Sequence, residues 1–135
     1  VIKAIPSALH LAVVLISLVS AGCVATTSDS TARPGSSSTI PKNFHGTWTY
    51  HSSGIHPPGG ENPWSITARS TSGHEFHGSV SSVTIHDSNA ITVIEEVSAE
   101  GMEYTEETRF TVSADGSALE VERPEGGPFT LYRVR

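Results

Sequence analysis

The chain has 135 residues, a single cysteine and a formal net charge of -6. That length leaves room for one small folded domain, and a lone cysteine excludes an intrachain disulfide. An acidic balance lacks the basic footprint that phosphates require, so no nucleic-acid partner is expected.

Lys3 supplies a small positive charge near the start, and Leu11 to Val19 then reads Leu-Ala-Val-Val-Leu-Ile-Ser-Leu-Val without a charge. This run is shorter than the roughly 20 apolar residues a membrane-spanning helix needs. It fits the apolar core of a signal peptide, followed by small residues. Ser20-Ala21-Gly22-Cys23 comes next and resembles a bacterial lipobox, with Ser20 at the place where that pattern usually carries an aliphatic residue. The resemblance implies that residues 1–22 are a lipoprotein signal peptide. Cys23 would then accept the lipid, as palmitate-like acyl chains, and become the new N-terminus. Each buried CH₂ of such chains adds about 0.8 kcal/mol of membrane affinity. The membrane is the partner this implies, and the location is the bacterial cell envelope. Because Val24 and not Asp follows Cys23, the resemblance implies the periplasmic face of the outer membrane in a two-membraned cell. Ordinary secretion, with cleavage after Ala21 or Ala25 and no lipid on Cys23, is the alternative.

From Cys23 to Pro41 the chain is rich in Ser and Thr, interrupted by Arg33-Pro34-Gly35. Such a stretch buries too little apolar surface to offset its ordering entropy, so residues 23–41 read as a flexible tether.

Residues 42–135 carry the pattern of an all-β domain. Phe44, Gly46, Trp48 and Tyr50 fall on one side of an extended segment. Ser52 to Gly60 reads as a long loop, rich in Gly and Pro. Trp64, Ile66 and Ala68 alternate in a second strand, and Ser70 to Gly73 reads as a turn. Phe76, Gly78 and Val80 share a face, after which the phase shifts to Val83 and Ile85. A β-bulge near Ser81-Ser82 explains that shift. Asp87-Ser88-Asn89 turns the chain. Ile91, Val93 and Val97 line the next strand, and Ala99-Glu100-Gly101 turns again. Met102, Tyr104, Phe110 and Val112 share one face of a long strand. Asp115-Gly116 is a hairpin signal, Leu119 and Val121 alternate, Pro124 to Pro128 turns, and Phe129 to Val134 closes the chain. Seven to eight strands joined by short turns predict a small antiparallel up-and-down barrel, since closure removes exposed edges.

Phe44-x-Gly46-x-Trp48 at the head of such a meander resembles the lipocalin and calycin signature. Thr111 to Val121, followed by Tyr132-Arg133, is similar to the tail of small bacterial lipocalin-like lipoproteins. The resemblance implies that Gly46 permits close chain approach, that Trp48 plugs one barrel end, and that Arg133 or Arg135 packs over its ring. It implies a binding role, for a small apolar ligand or for another envelope protein. Trp48, Trp64, Phe76, Tyr104, Phe110 and Phe129 are large enough to fill much of the interior of an eight-stranded barrel. A filled barrel favours a protein-protein, inhibitor or assembly module, and an apolar cavity favours the small ligand.

Two clusters carry possible chemistry. The domain holds His45, His51, His56, His74, His77 and His86, and His74-Glu75-Phe76-His77 has an H-x-x-H spacing that a strand splits between opposite faces. Surface histidines and no metal or other cofactor are expected. Glu95, Glu96, Glu100, Glu103, Glu106 and Glu107 crowd one hairpin and read as a solvated acidic face that blunts edge pairing. With no nucleophile elbow, P-loop or Cys–His pair in the sequence, no enzymatic activity is expected. One prediction follows from the N-terminal reading. Cys23→Ser should abolish incorporation of a fatty-acid probe into the protein expressed in a bacterial host, and equal labelling of both forms would refute lipidation at this residue.

Overall fold

The computed structural model describes residues 34–55 and 62–135. The signal peptide, Cys23, the tether as far as residue 33, and His56 lie outside the described residues. Among the described residues there are nine strands: β1 (Gly35–Ser37), β2 (Gly46–Thr49), β3 (Trp64–Ile66), β4 (Ser70–Gly73), β5 (Phe76–Ile85), β6 (Ala90–Ala99), β7 (Met102–Val112), β8 (Ala118–Glu122) and β9 (Phe129–Arg133). From β2 to β9 each strand pairs antiparallel with its neighbours in sequence, and β9 pairs back onto β2. The result is a closed eight-stranded, antiparallel up-and-down barrel. The helical content of the described residues is one 3₁₀ turn, Lys42–Phe44.

The alternation of apolar residues sets which side of each strand faces inward. On β6, Ile91, Val93 and Val97 are buried, while Glu96 and Ser98 between and beside them are exposed. On β7, Phe110 and Val112 are buried and Arg109 is exposed. The two strands meet in register from Ala90↔Thr111 to Ala99↔Met102. Glu100 and Gly101, both at positive φ (51° and 80°), close this hairpin as a two-residue turn whose twist suits the strands. On β5 the register shifts between Val80 and Ser82. This extra residue keeps Gly78 and Val80 on the same side as Val83 and Ile85, and so resolves the phase change visible in the sequence.

The structure corrects three boundaries. The folded domain begins upstream of Lys42, because Gly35–Ser37 adds to β5 with Gly35↔Ile85 and Ser37↔Val83. It covers the edge of β5 that β4 leaves bare, and Ile40 behind it is 2 % exposed and part of the core. Ser70 to Gly73 is a strand and not a turn. Its Ser and Thr side chains suit a turn locally, but Thr71 pairs with Gly78 in the β4–β5 ladder, and the turn falls earlier, where Thr67 Oγ1 accepts from the Ser70 amide at 3.1 Å. Phe44 lies in the 3₁₀ turn and not on the strand that carries Trp48.

The two barrel ends differ. At one end lie the 3₁₀ turn and the β3–β4, β5–β6 and β7–β8 turns, and Asn43 Nδ2 donates to Ser88 O at 2.8 Å to tie two of them together. Phe44, Trp48, Ile91, Phe110, Leu119, Val121 and Leu131 have no exposed surface and fill this half of the interior. This is the closed end. The end of β2, the start of β3 and the β4–β5, β6–β7 and β8–β9 turns ring the opposite, open end. Ile40→Ala should lower the free energy of unfolding by about 2–5 kcal/mol, the cost of deleting a buried aliphatic side chain, as measured by urea denaturation. An effect under about 0.5 kcal/mol would return Ile40 to the tether.

Candidate functional site

At the closed end the structure brings Phe44, Gly46, Trp48 and Arg133 together. The Arg133 guanidinium carbon lies 4.2 Å from the centroid of the Trp48 ring. Its three nitrogens donate to backbone carbonyls: Nε to Gly116 at 2.7 Å, Nη1 to His45 at 2.6 Å and Nη2 to Asn43 at 2.7 Å. A Cβ built on Gly46 would lie 2.7 Å from Arg133 Nη1, and Gly46 also has a φ of +137°. Glycine is therefore required on two counts, space and backbone conformation. Trp48 Nε1 donates to Phe44 O at 3.1 Å, which satisfies the indole in a fully buried site. Arg135 lies apart from this cluster. It is exposed, and its amide donates to Gly54 O at 3.3 Å. In the β7–β8 turn beside it, Asp115 accepts from Ser113 Oγ, Ser117 N and Ser117 Oγ. These hydrogen bonds pull its carboxyl down to about 2. Inside the barrel these contacts, with the buried side chains around Trp48, fill the closed end.

The chemistry collects at the open end. Strand parity turns Glu95 inward beside Val93 and Val97, and turns Glu106 and Thr108 inward beside Phe110. Glu95 and Glu106 stand directly opposite in the β6–β7 ladder. Arg123, just beyond β8, shares the inward parity of Leu119 and Val121. Its Nε lies 3.5 Å from Glu106 Oε1. Its guanidinium lies 4.8 Å from the Trp64 ring centroid and 5.4 Å from that of Phe76. Trp64 packs edge-on against Phe76 at 4.7 Å and against Phe129 at 5.6 Å, and Tyr50 extends the same wall at 5.7 Å from Phe129. At the same end Met102, Tyr104, Thr105, Glu106, Glu107, Arg123, Pro124 and Glu125 border an open cleft of about 560 Å³.

Glu95 is 1 % exposed. Its Oε2 accepts from Thr71 Oγ1 at 2.8 Å. Gly78 makes that contact possible, since a Cβ there would lie 2.6 Å from Glu95 Oε2 and 2.7 Å from Thr71 Oγ1. The other polar atoms here are not paired. Glu95 Oε1, Glu106 Oε2, Thr108 Oγ1 and Arg123 Nε are buried with no hydrogen-bond partner among the described residues. Leaving a buried polar atom unpaired costs about 1–3 kcal/mol, more for a charged one. Four in one place form an unmet demand for donors and acceptors. Burial pushes the Glu95 carboxyl up from its usual range, against the pull of the Thr71 hydrogen bond and the nearby Arg123 charge.

The sequence reading of the six glutamates as one solvated face therefore needs correction. Glu96, Glu100, Glu103 and Glu107 are exposed, whereas Glu95 is buried and Glu106 half-buried. The signal was present in the period-2 register, because Glu95 has the parity of Val93 and Val97. Arg123 was also legible in this way, from the parity of Leu119 and Val121. Of the Ser52–Gly60 loop, Ser52, Ser53 and Gly54 border a separate cleft with Asp115, Gly116 and Arg133. The described histidines are dispersed. His45 Nε2 lies 2.8 Å from Ile40 O, His86 Nε2 lies 2.8 Å from Thr92 Oγ1, and His51, His74 and His77 are exposed. Among the described residues no three His, Cys, Asp or Glu side chains gather as a metal site. No protein-family model, curated protein or solved structure matches the chain.

Two measurements check these sites. Trp48→Ala should cost about 3–5 kcal/mol of stability by urea denaturation, with a near-neutral result removing Trp48 from its closing role. For Glu95 the folded state holds the proton more tightly than the unfolded chain does. Its carboxylate therefore lowers stability as pH rises above the ordinary value of 4.5. Glu95→Gln keeps an acceptor for Thr71 and should raise the thermal midpoint near pH 7, by about 4–8 °C for each kcal/mol relieved. The gain should shrink toward pH 4. A gain independent of pH would show that the carboxylate is not the source of the cost.

Proposed function

We propose that this protein is a lipid-anchored envelope protein of lipocalin-like build, with no catalytic role, whose barrel binds a small amphipathic molecule at its open end. One observation carries the binding role: four buried polar atoms without partners lie beneath an aromatic wall and an open cleft, while the rest of the interior is packed. A deep calyx for a wholly apolar ligand is not available, because aromatic and aliphatic side chains fill the closed half. The cleft volume falls within the usual range for small-molecule sites, about 300–1,000 Å³, and charged and polar side chains, Glu107 and Glu125 among them, line it beside Met102, Tyr104 and Pro124.

The anchoring half of the reading rests on Ser20-Ala21-Gly22-Cys23, and the folded part is compatible with it. Gly35 enters the barrel beside Ile85, next to the β5–β6 turn at the closed end. Pro34 and Gly35, the first described residues, thus lie at the end opposite the cleft.

Native mass spectrometry of the protein purified from its own host provides the test. A co-purifying molecule below about 1 kDa, lost on substitution of Trp64 or Glu95, is the expected result. A co-purifying polypeptide with no small adduct would favour the protein-protein alternative and overturn the small-ligand reading.

A further inference from the structure

Resting on the open end as the binding site, we propose that its ligand is a small organic cation, an ammonium or guanidinium group on an apolar body, and that this group takes the place Arg123 now holds between Trp64, Phe76 and the two inward carboxyls. Arg123 already shows what the cage accepts. Its guanidinium lies over two aromatic rings, at 4.8 and 5.4 Å, with a carboxylate oxygen 3.5 Å from Nε. Aromatic faces and carboxylates are the two surroundings that stabilise an organic cation away from bulk water.

Arg123 nevertheless fills the cage poorly. Its Nε makes no hydrogen bond, and neither Glu95 Oε1, Glu106 Oε2 nor Thr108 Oγ1 receives a donor from any described residue. Glu95 and Thr108 are each 1 % exposed, so these oxygens are held inside the barrel and aimed at its polar layer. The three oxygens call for N–H or O–H donors, and an ammonium brings three. Charge selects in the same direction. Two carboxyls face one cation here, and Glu107 and Glu125 also border the cleft. Among the described residues the other basic side chains lie elsewhere: Lys42, Arg69, Arg109 and Arg135 are exposed, and Arg133 is at the closed end. An anion would meet two carboxyls. A neutral apolar molecule would leave every unpaired atom as it is. For the body of the ligand, Met102 and Tyr104 lie exposed along the same cleft on β7.

Arg123 can be displaced without unfolding the barrel. It sits past the end of β8, its side chain keeps 23 % exposure, and it borders the open cleft into which it would swing. It therefore acts as a built-in competitor: the chain's own cation occupies the cage until a better-fitting one enters.

The experiment is calorimetric titration with three probes of similar shape, 2-phenylethylammonium, 2-phenylethanol and 3-phenylpropanoate. They are tested on the wild type and on Arg123→Met, Glu95→Gln and Glu106→Gln. Far-ultraviolet circular dichroism first confirms that each variant is folded. The ammonium alone should bind the wild type. Arg123→Met, which keeps the side-chain bulk and removes the charge, should tighten its binding at least tenfold. Glu95→Gln and Glu106→Gln should each weaken it at least tenfold. If Arg123→Met weakens or leaves unchanged the binding of the ammonium, displacement is refuted. If the alcohol or the carboxylate binds as well as the ammonium, the open end remains a ligand site but its preference for cations is refuted. If none of the three binds and the host-purified protein carries no small adduct, the ligand site itself is refuted.

Discussion

The Arg133 guanidinium donates to carbonyls of Asn43, His45 and Gly116, which come from the segment entering the first barrel strand and from the β7–β8 turn. Arg133 itself ends the last strand. A single side chain thus ties the start of the barrel, its end and a turn between them. Hydrogen bonds from charged donors contribute about 1.5–3 kcal/mol each when they are well formed, and here they are made against the flat face of Trp48. The β2–β9 ladder that closes the ring is short, with only Trp48↔Arg133 and Thr49↔Tyr132 in register. Closure at this seam consequently depends on side chains as much as on the backbone, and it works only because Gly46 leaves space for the guanidinium.

Closure at one end determines what the other end can do. With Phe44, Trp48, Phe110 and Leu131 filling the closed half, an entering molecule has only the upper layer to occupy. That layer is not a continuation of the apolar core. It holds two carboxyls, a guanidinium and two threonines, framed by Trp64, Phe76 and Phe129. Charges taken out of water are costly unless fully paired, and these are only partly paired. Their retention inside so small a barrel is the physical basis for reading the open end as a site and not as more core.

The remaining features keep the barrel intact around that asymmetry. β1 pairs with the part of β5 that β4 does not reach, so a bare edge is covered by the chain's own N-terminal segment. The bulge at Ser81 lets the long β5 serve two neighbours without turning its apolar face outward. Gly78 lies on the same strand, on the open-end side of the bulge. Its missing side chain gives Glu95 and Thr71 the volume in which they meet.

Much of the architecture was legible from the residues alone. Alternating Ile91, Val93 and Val97, the phase shift before Val83, the Asp-Gly turn at Asp115 and the Glu-Gly turn at Glu100 specify strands, bulge and hairpins through local backbone preference and side-chain period, both of which are short-range. That same period also carries the inward parity of Glu95, Glu106 and Arg123, which the reading of a solvated acidic face passed over. Other features belong to the tertiary structure. Gly35–Ser37 is a strand because β5 offers it an unpaired edge. Ser70–Gly73 is a strand because the ladder outweighs a turn-prone composition. Arg133, and not Arg135, covers Trp48 because barrel curvature brings residues distant in sequence to one end. The joining of Glu95, Thr71 and Arg123 in one layer depends on strands β4, β6 and β8 meeting across the interior. No local pattern encodes that distance, so the sequence determined which residues face inward and only the closed barrel decided which of them meet.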